Sequence, residues 1–320
     1  MSLKGRVVPE PVDVGQMAPP IYARLPDVAG LFAARAARLD TLAPGNPLEP
    51  FLRFVAAVAR AQHAAAGRLP AGTLPGADHI AFCKAHEFAP LDRLTWKRDP
   101  SFLAAARAVA RELDGVDMPA PARAALDAFA ARDDASVEAL ADRALRGACE
   151  RWEHAETPFV GAALELHWTR MAALLDLADV APLAARNLCP VCGSHPVASV
   201  IETAQGRQGS RFLCCPLCQT RWNYTRVQCA HCEGSKGVAY QSLEGAARAV
   251  RAETCDECRS YTKILYHEED PALDPVADDL ATVTLDILVS EGGWARACAS
   301  PYLSPDPDEA DAEPLSPASP

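Results

Sequence analysis

The chain has 320 residues, 49% of them apolar, with 12 cysteines and a formal net charge of −11. That length predicts about two domains, and that composition belongs to globular rather than disordered chains. No apolar run approaches the ~20 residues of a membrane span, and the 31 basic residues form neither a stripe nor a tail, which argues against stable membrane insertion and against a nucleic-acid partner.

Residues 1–20, rich in Pro and Val, read as an extended arm. The arm lacks the apolar core of a secretory signal, so a cytoplasmic protein with reduced thiols is expected. Residues 21–187 read as a helical domain. Val28–Leu39 forms one predicted helix. Asn46-Pro47 opens another, with Asn as N-cap, Pro in the first helical position and Glu49 completing a capping pair. Phe51, Val55 and Val58 line its apolar face and Gly67 ends it. Ser101–Leu113 and Ala122–Leu145 have the same texture. Thr157-Pro158 repeats the start signal ahead of Val160, Leu164, Trp168, Met171 and Leu175 at helical spacing. These stripes are core rather than sites, in a bundle of five or more helices. His167, on the apolar side of its helix, reads as a core histidine.

The texture changes at Asn187. The next 80 residues hold nine cysteines, with short β-like runs at Ala198–Glu202, Arg221–Val227, Gly237–Ser242 and Tyr261–Tyr266. Residues 268–303 read as a C-terminal helical segment with one helix over Val276–Ser290. Residues 304–320 are acidic and Pro-rich, and a disordered tail is expected there. Charge is uneven along the chain: net −2 over residues 1–188, +3 over 189–263 and −12 over 264–320.

Four CxxC pairs occupy the middle: Cys189/Cys192, Cys215/Cys218, Cys229/Cys232 and Cys255/Cys258. The third pair lies 40 positions after the first and the fourth 40 after the second, an internal repeat without a gap. Each half reads C-x2-C-x22-C-x2-C. Two intervening residues let both thiolates of a tight turn face one point, and a 22-residue excursion can return as a hairpin with a second such turn. Four thiolates then close a tetrahedral shell suited to zinc or to a single iron. Gly193 and Gly234 follow two of the turns, where a positive φ is often needed. The expected fold class is α+β: an N-terminal all-α domain, two tandem rubredoxin-like or zinc-ribbon modules (188–227 and 228–267) and a C-terminal helix. So small a cysteine-rich segment needs metal to fold.

Sequential pairing, first with second and third with fourth, is expected, with a crossed arrangement as the alternative. Cys214 maps onto Thr254 and is the surplus thiol; Cys83, Cys149 and Cys298 are isolated and read as small buried hydrophobes. His195, His231 and His267 lie near shells that already hold four sulfurs. No nucleophile elbow, P-loop, dinucleotide fingerprint or HExxH is present. With both shells closed, no catalytic residue or substrate position is expected. Two other readings compete: a nucleic-acid-binding zinc ribbon, with Trp222, Tyr224 and Tyr240 stacking bases, and a redox protein using the CxxC pairs as dithiols.

At these cysteines the sequence resembles the FdhE family, the formate dehydrogenase accessory proteins. The runs that carry the likeness are "CPVCGSHPV" (Cys189–Val197), "RFLCCPLCQTRW" (Arg211–Trp222), "RVQCAHCEGS" (Arg226–Ser235), "ETCDECRSYTKILY" (Glu253–Tyr266) and "DPVADDLATVTLD" (Asp274–Asp286). A weaker likeness reaches back through "LPDVAGLFAARAARL" and "NPLEPFLRFVAAVARAQ", so that residues 20–303 are covered. Departures are Cys214 beside a ligand position, "ASPYL" (Ala299–Leu303) where the family tends to have Asn before Pro, and the acidic tail. The resemblance implies iron held by the eight CxxC cysteines, with no turnover reaction, and the metal sites are expected to be structural or redox-sensing. It also implies a cytoplasmic assembly chaperone that binds the catalytic subunit of respiratory, molybdenum-containing formate dehydrogenase and matures it before twin-arginine export. Neither iron against zinc nor an oligomeric state follows from the residues themselves.

Overall fold

A computed structural model of the chain describes residues 21–202, 209–243, 248–298, 300 and 302–303. The expected arm (1–20) and acidic tail (304–320) lie outside the described residues. The helical half contains α1 (Val28–Leu42), α2 (Glu49–Ala66), α3 (Ala77–His86), α4 (Pro100–Leu113), α5 (Ala120–Ala131), α6 (Asp134–Arg146) and α7 (Thr157–Ala173), the last entered from a 3₁₀ helix at Arg151–Glu156.

Local chemistry sets most of these starts. The Asp27, Asp99 and Asp133 side chains accept from the backbone N–H groups of Ala29, Ser101 and Ser136, capping α1, α4 and α6. The stretch expected as one helix over Ala122–Leu145 is two, because Arg132 is extended (ψ 141°) and Asp133 spends its carboxylate on a fresh N-terminus. The helix expected to open at Asn46-Pro47 begins at Glu49 instead. A start at Pro47 would place Pro50, which has no N–H, where the ladder first needs a donor; beginning at Glu49 keeps Pro50 in the first turn. Asn46 caps a turn instead, accepting from Leu48 N–H at 2.9 Å.

After the helices come β2 (Ala198–Glu202), β3 (Ser210–Cys214), β4 (Arg221–Tyr224), β5 (Val238–Gln241), β6 (Val250–Cys255) and β7 (Ser260–Tyr266). The repeat survives in three dimensions: β5, β6 and β7 sit 40 positions after β2, β3 and β4, give or take a residue or two at their ends. Each triplet is an antiparallel meander, and β2 pairs parallel with β7, so the two modules share one sheet of order β1-β4-β3-β2-β7-β6-β5. Its first strand, β1 (Ala23–Arg24), comes from the helical half, and β8 (Ala295–Arg296) pairs with β7. The strands at β3 and β6 were not expected from the sequence.

The C-terminal helix expected over Val276–Ser290 is broken into α8 (Ala277–Ala281) and α9 (Val283–Glu291) at Thr282 (φ −114°, ψ 31°). The cause is remote in sequence. The buried Lys263 ammonium of β7 takes the carbonyl oxygens of Asp279 (2.7 Å) and Thr282 (3.2 Å), and it pairs with the Asp286 carboxylate at 2.6 Å. Each of those carbonyls accepts a backbone N–H only three residues on, Asp279 O from Thr282 (3.3 Å) and Thr282 O from Leu285 (3.0 Å), and the regular ladder is interrupted there.

One large core runs through the helices and into the first module, joining Phe32, Leu52, Val55, Phe102, Phe159 and Trp168 to Cys189, Cys192, Cys215, Cys218 and Trp222. A buried polar hub crosses it. Glu165 of α7 accepts from Arg35 of α1, Gln62 of α2 (2.9 Å), Gln219 of the first module (2.8 Å) and the Tyr302 hydroxyl (2.8 Å). Arg35 also pairs with Asp274 at 3.0 Å.

Glu165→Leu leaves the Arg35 guanidinium buried with half its compensation gone. Urea unfolding is expected to show a loss of about 3–5 kcal/mol, against less than about 1 kcal/mol for removing the exposed Arg60–Asp40 pair with Arg60→Ala; equal losses would contradict the hub's role. A second outcome concerns pH. His167 is buried, with Nδ1 3.1 Å from the Ser101 hydroxyl and, among the described residues, no hydrogen-bond partner for Nε2, and burial lowers its pKa to about 4. Between 6.5, the ordinary value, and about 4 the unfolded imidazole takes a proton that the folded one refuses, so stability falls with acidification across that window. His167→Phe flattens that slope, and an unchanged slope in unfolding measurements from pH 4 to 7 would refute the assignment.

Candidate metal centres

Each module delivers its cysteines from two knuckles, the tight turns that hold the CxxC pairs. In the first, Gly193 N–H donates to Cys189 O (2.8 Å) and Cys189 N–H to Ser194 O (2.9 Å). In the third, Glu233 N–H donates to Cys229 O (3.1 Å) and Cys229 N–H to Gly234 O (2.8 Å). The residue after each second cysteine adopts a left-handed conformation: Gly193 (φ 70°), Gln219 (60°), Glu233 (62°) and Arg259 (53°). The positive φ expected at Gly234 is therefore taken by Glu233, the position the repeat aligns with Gly193; only the first knuckle uses glycine there. Inward backbone N–H groups face the sulfurs, with Leu217 and Cys218 N–H at 3.4 and 3.3 Å from Cys215 Sγ and His231 N–H at 3.4 Å from Cys229 Sγ.

The eight sulfurs gather as two groups of four, Cys189/Cys192/Cys215/Cys218 and Cys229/Cys232/Cys255/Cys258, each with all its sulfurs within 4.8 Å of one another. Sulfur pairs stand 3.5 Å (Cys189–Cys218) and 3.4 Å (Cys192–Cys215) apart in the first group, and 3.7 Å (Cys229–Cys258) and 3.8 Å (Cys232–Cys255) in the second. A tetrahedron with metal–sulfur bonds of about 2.3 Å has edges of about 3.8 Å, so the groups fit a four-thiolate ion of zinc or iron size. All eight are free of disulfides. Burial and the crowding of neighbouring sulfurs push the Cys189 and Cys218 thiols well above the ordinary range; a divalent cation at the centre reverses that by stabilising thiolate. The arrangement is sequential within each half of the repeat.

The remaining candidates sit elsewhere. Cys214 is buried in a small apolar cluster with Val197, Val200 and Phe212, where burial pushes its thiol up to about 12. Cys298 Sγ lies 3.7 Å from His195 O, and Cys83 Sγ lies 3.4 Å from His79 Nε2. Cys149 is half-buried. His195 and His231 face each other at 5.9 Å between ring centroids, and neither they nor His267 joins a sulfur group. Of the aromatics considered for base stacking, Trp222 and Tyr224 are core: the indole N–H donates to Arg186 O (3.0 Å) and the phenol to Cys229 O (2.9 Å). Tyr240 is exposed.

Sequence reasoning did not find the residues that tie the modules together and to the helices. Leu91 and Arg93 N–H groups donate to Val191 and Cys192 carbonyls, both at 2.9 Å, docking the loop after α3 onto the first knuckle. Gln219, one residue past Cys218, reaches Glu165 in the helical hub. Arg211 of β3 is fully buried, pairs with Glu253 of β6 at 2.8 Å and donates to the Gln228 carbonyl of the linker between modules at 2.9 Å.

Three family profiles match the chain in succession: "FdhE, N-terminal" over residues 20–185, "FdhE, central domain" over 188–226 and "FdhE, C-terminal domain" over 227–303. A protein of Edwardsiella ictaluri named "Protein FdhE homolog" is 39% identical over 292 residues, which is 91% of this chain and 94% of that protein. "Protein FdhE" of Escherichia coli is 36% identical over 290 residues, 90% of this chain and 92% of the relative. The crystal structure of the FdhE protein from Pseudomonas aeruginosa superposes with a TM-score of 0.81 at 34% identity, covering 89% of this chain and 99% of that one.

If the sulfur groups hold metal as their spacing allows, protein purified without added metal carries about two ions per chain, and Cys192→Ser carries about one. That variant also loses about 3 kcal/mol or more of stability, because binding energy at a structural site is folding energy. Elemental analysis and denaturant unfolding read both. Unchanged content and stability would contradict the assignment of Cys192.

Proposed function

The chain belongs to the FdhE family, and from that premise we propose that it is a cytoplasmic accessory protein that binds the catalytic subunit of a respiratory, molybdenum-containing formate dehydrogenase and assists its maturation. The observation that carries this reading is the extent of the likeness: it runs through the helical half, the first module, the second module and the C-terminal segment alike. Among the described residues, no helix is long and apolar enough to cross a membrane.

The geometry supports an accessory role without turnover. In this reading all eight CxxC cysteines are ligands, and each metal is surrounded by four sulfurs with no position for a substrate. The metals' part is to hold the modules in shape. Iron is the metal favoured by the family likeness, and zinc satisfies the same donor set. The first module, locked to the helices through Gln219 and Arg93, and the helical half then form one rigid surface for the client.

The test uses a strain that lacks its own FdhE protein. Supplying this chain with an affinity tag is expected to restore formate dehydrogenase activity and to capture the catalytic subunit before export. Restoration without capture would refute direct binding, and neither restoration nor capture would refute the assignment to this client.

A further inference from the structure

We propose that the two four-sulfur sites divide their work: the first keeps its metal as part of the main core, whereas the second is an exchange site that metal enters and leaves past Cys232 and Cys258. The inference rests on the reading that both groups hold metal, and goes beyond it by assigning them different accessibility.

All four sulfur ligands of the first site are at most 1% exposed and belong to the core that contains the helices. Its knuckles are clamped from the helical side by the Leu91, Arg93 and Gln219 hydrogen bonds and by Thr169, whose hydroxyl donates to Leu217 O at 3.4 Å. Reaching that metal means parting α7 and the loop after α3 from the module. At the second site Cys232 is exposed and Cys258 half-buried, while Cys229 and Cys255 form the inner side. Among the described residues β5, the strand next to it, is the edge of the sheet and mostly exposed.

The residues between the paired cysteines carry the same contrast. The first site has Pro190-Val191 and Pro216-Leu217; the second has Ala230-His231 and Asp256-Glu257. Val191 is buried in the core, whereas His231, Asp256 and Glu257 face solvent. The Glu257 carboxylate lies against Gly234, beside the Cys232 sulfur. Asp256 is paired with Arg259 (3.3 Å), which leaves the Glu257 carboxylate at the rim to attract cations from solution, and water-wetted ligands offer an incoming chelator the first sulfur to displace. The exchange is ligand substitution without change of oxidation state. The metal passes to the chelator's donor atoms, and each freed thiolate takes a proton from water.

Loss of the second metal would loosen β5 and the Cys229–Glu233 knuckle. β6 and β7 would stay anchored through Arg211–Glu253, the β2–β7 pairing and Lys263. The second module is thus the metal-responsive part of a body whose helices and first module do not respond.

The experiment loads the full chain with zinc and challenges it at neutral pH with an excess of a chromogenic chelator, whose absorbance follows the zinc it takes from the protein. Two phases of about one zinc per chain are expected, with rates about ten-fold or more apart, as when one site opens locally and the other only with the core. Cys232→Ser removes the fast phase and leaves the slow phase and the helical circular dichroism intact. The double variant His231→Val with Glu257→Leu, which copies the first site's apolar knuckles, slows the fast phase several-fold. Release of both metals in a single phase, or a fast phase that survives Cys232→Ser, would overturn the division while leaving metal binding itself standing. A chain that takes up no zinc or iron would overturn both.

Discussion

Four thiolates confined within 4.8 Å of one another are tolerable only around a cation. Uncompensated, the sulfurs must either stay protonated at the cost of their donor role or separate and take the knuckles with them. Everything in the C-terminal half depends on that constraint, because the second module has few large buried apolar side chains of its own: its outer strand β5 is mostly exposed, β7 carries Tyr261, Ile264, Leu265 and Tyr266, and Ala252 and Tyr261 are covered by Leu285 and Val289 of α9. Metal–sulfur bonding stands where a larger domain would have a hydrophobic interior.

The first sulfur group is set differently. It lies inside the same core as the helices, and the hub around Glu165 couples it to α1, α2, α7, Asp274 and Tyr302 through a single glutamine. Gln219 can reach that hub because it adopts the left-handed turn that ends its knuckle. A side chain placed by metal geometry therefore completes a polar network deep between helices, and the fold of one half is conditioned on the chemistry of the other. The second module is held by Arg211, Glu253 and Lys263, which neutralise one another and the buried acidic groups of α8 and α9. Two copies of one repeat have thus been given different surroundings.

Much of this was legible in the chain itself. The cysteine spacing repeats without a gap, which favours sequential grouping but leaves a crossed pairing open until the sulfurs are placed, and strands β2, β4, β5 and β7 follow the same offset. Strand β3 was hidden because its residues run straight into Cys214 and Cys215, and β6 because Arg251 and Glu253 interrupt its apolar pattern. Helix α3 escaped notice since it buries only Ile80 and Cys83. The break at Thr282 could not be read locally, because Lys263 causes it from a strand 19 residues away. The hub was equally invisible: Arg35, Gln62, Glu165, Gln219, Asp274 and Tyr302 are scattered over the chain, and no periodicity links them. The contrast between Pro-Val and Pro-Leu knuckles on one side and Ala-His and Asp-Glu on the other was in plain view, yet it acquires meaning only once burial is known.

On this structure the eight sulfurs serve two metals and nothing else. X-ray absorption spectroscopy at the edge of the metal found in the purified protein tests this most directly. The predicted result is a shell of about four sulfurs near 2.3 Å, with no nitrogen or oxygen ligand, for about two ions per chain. A shell containing histidine nitrogen or water oxygen, or metal-free protein whose cysteines are paired in disulfides, would contradict it.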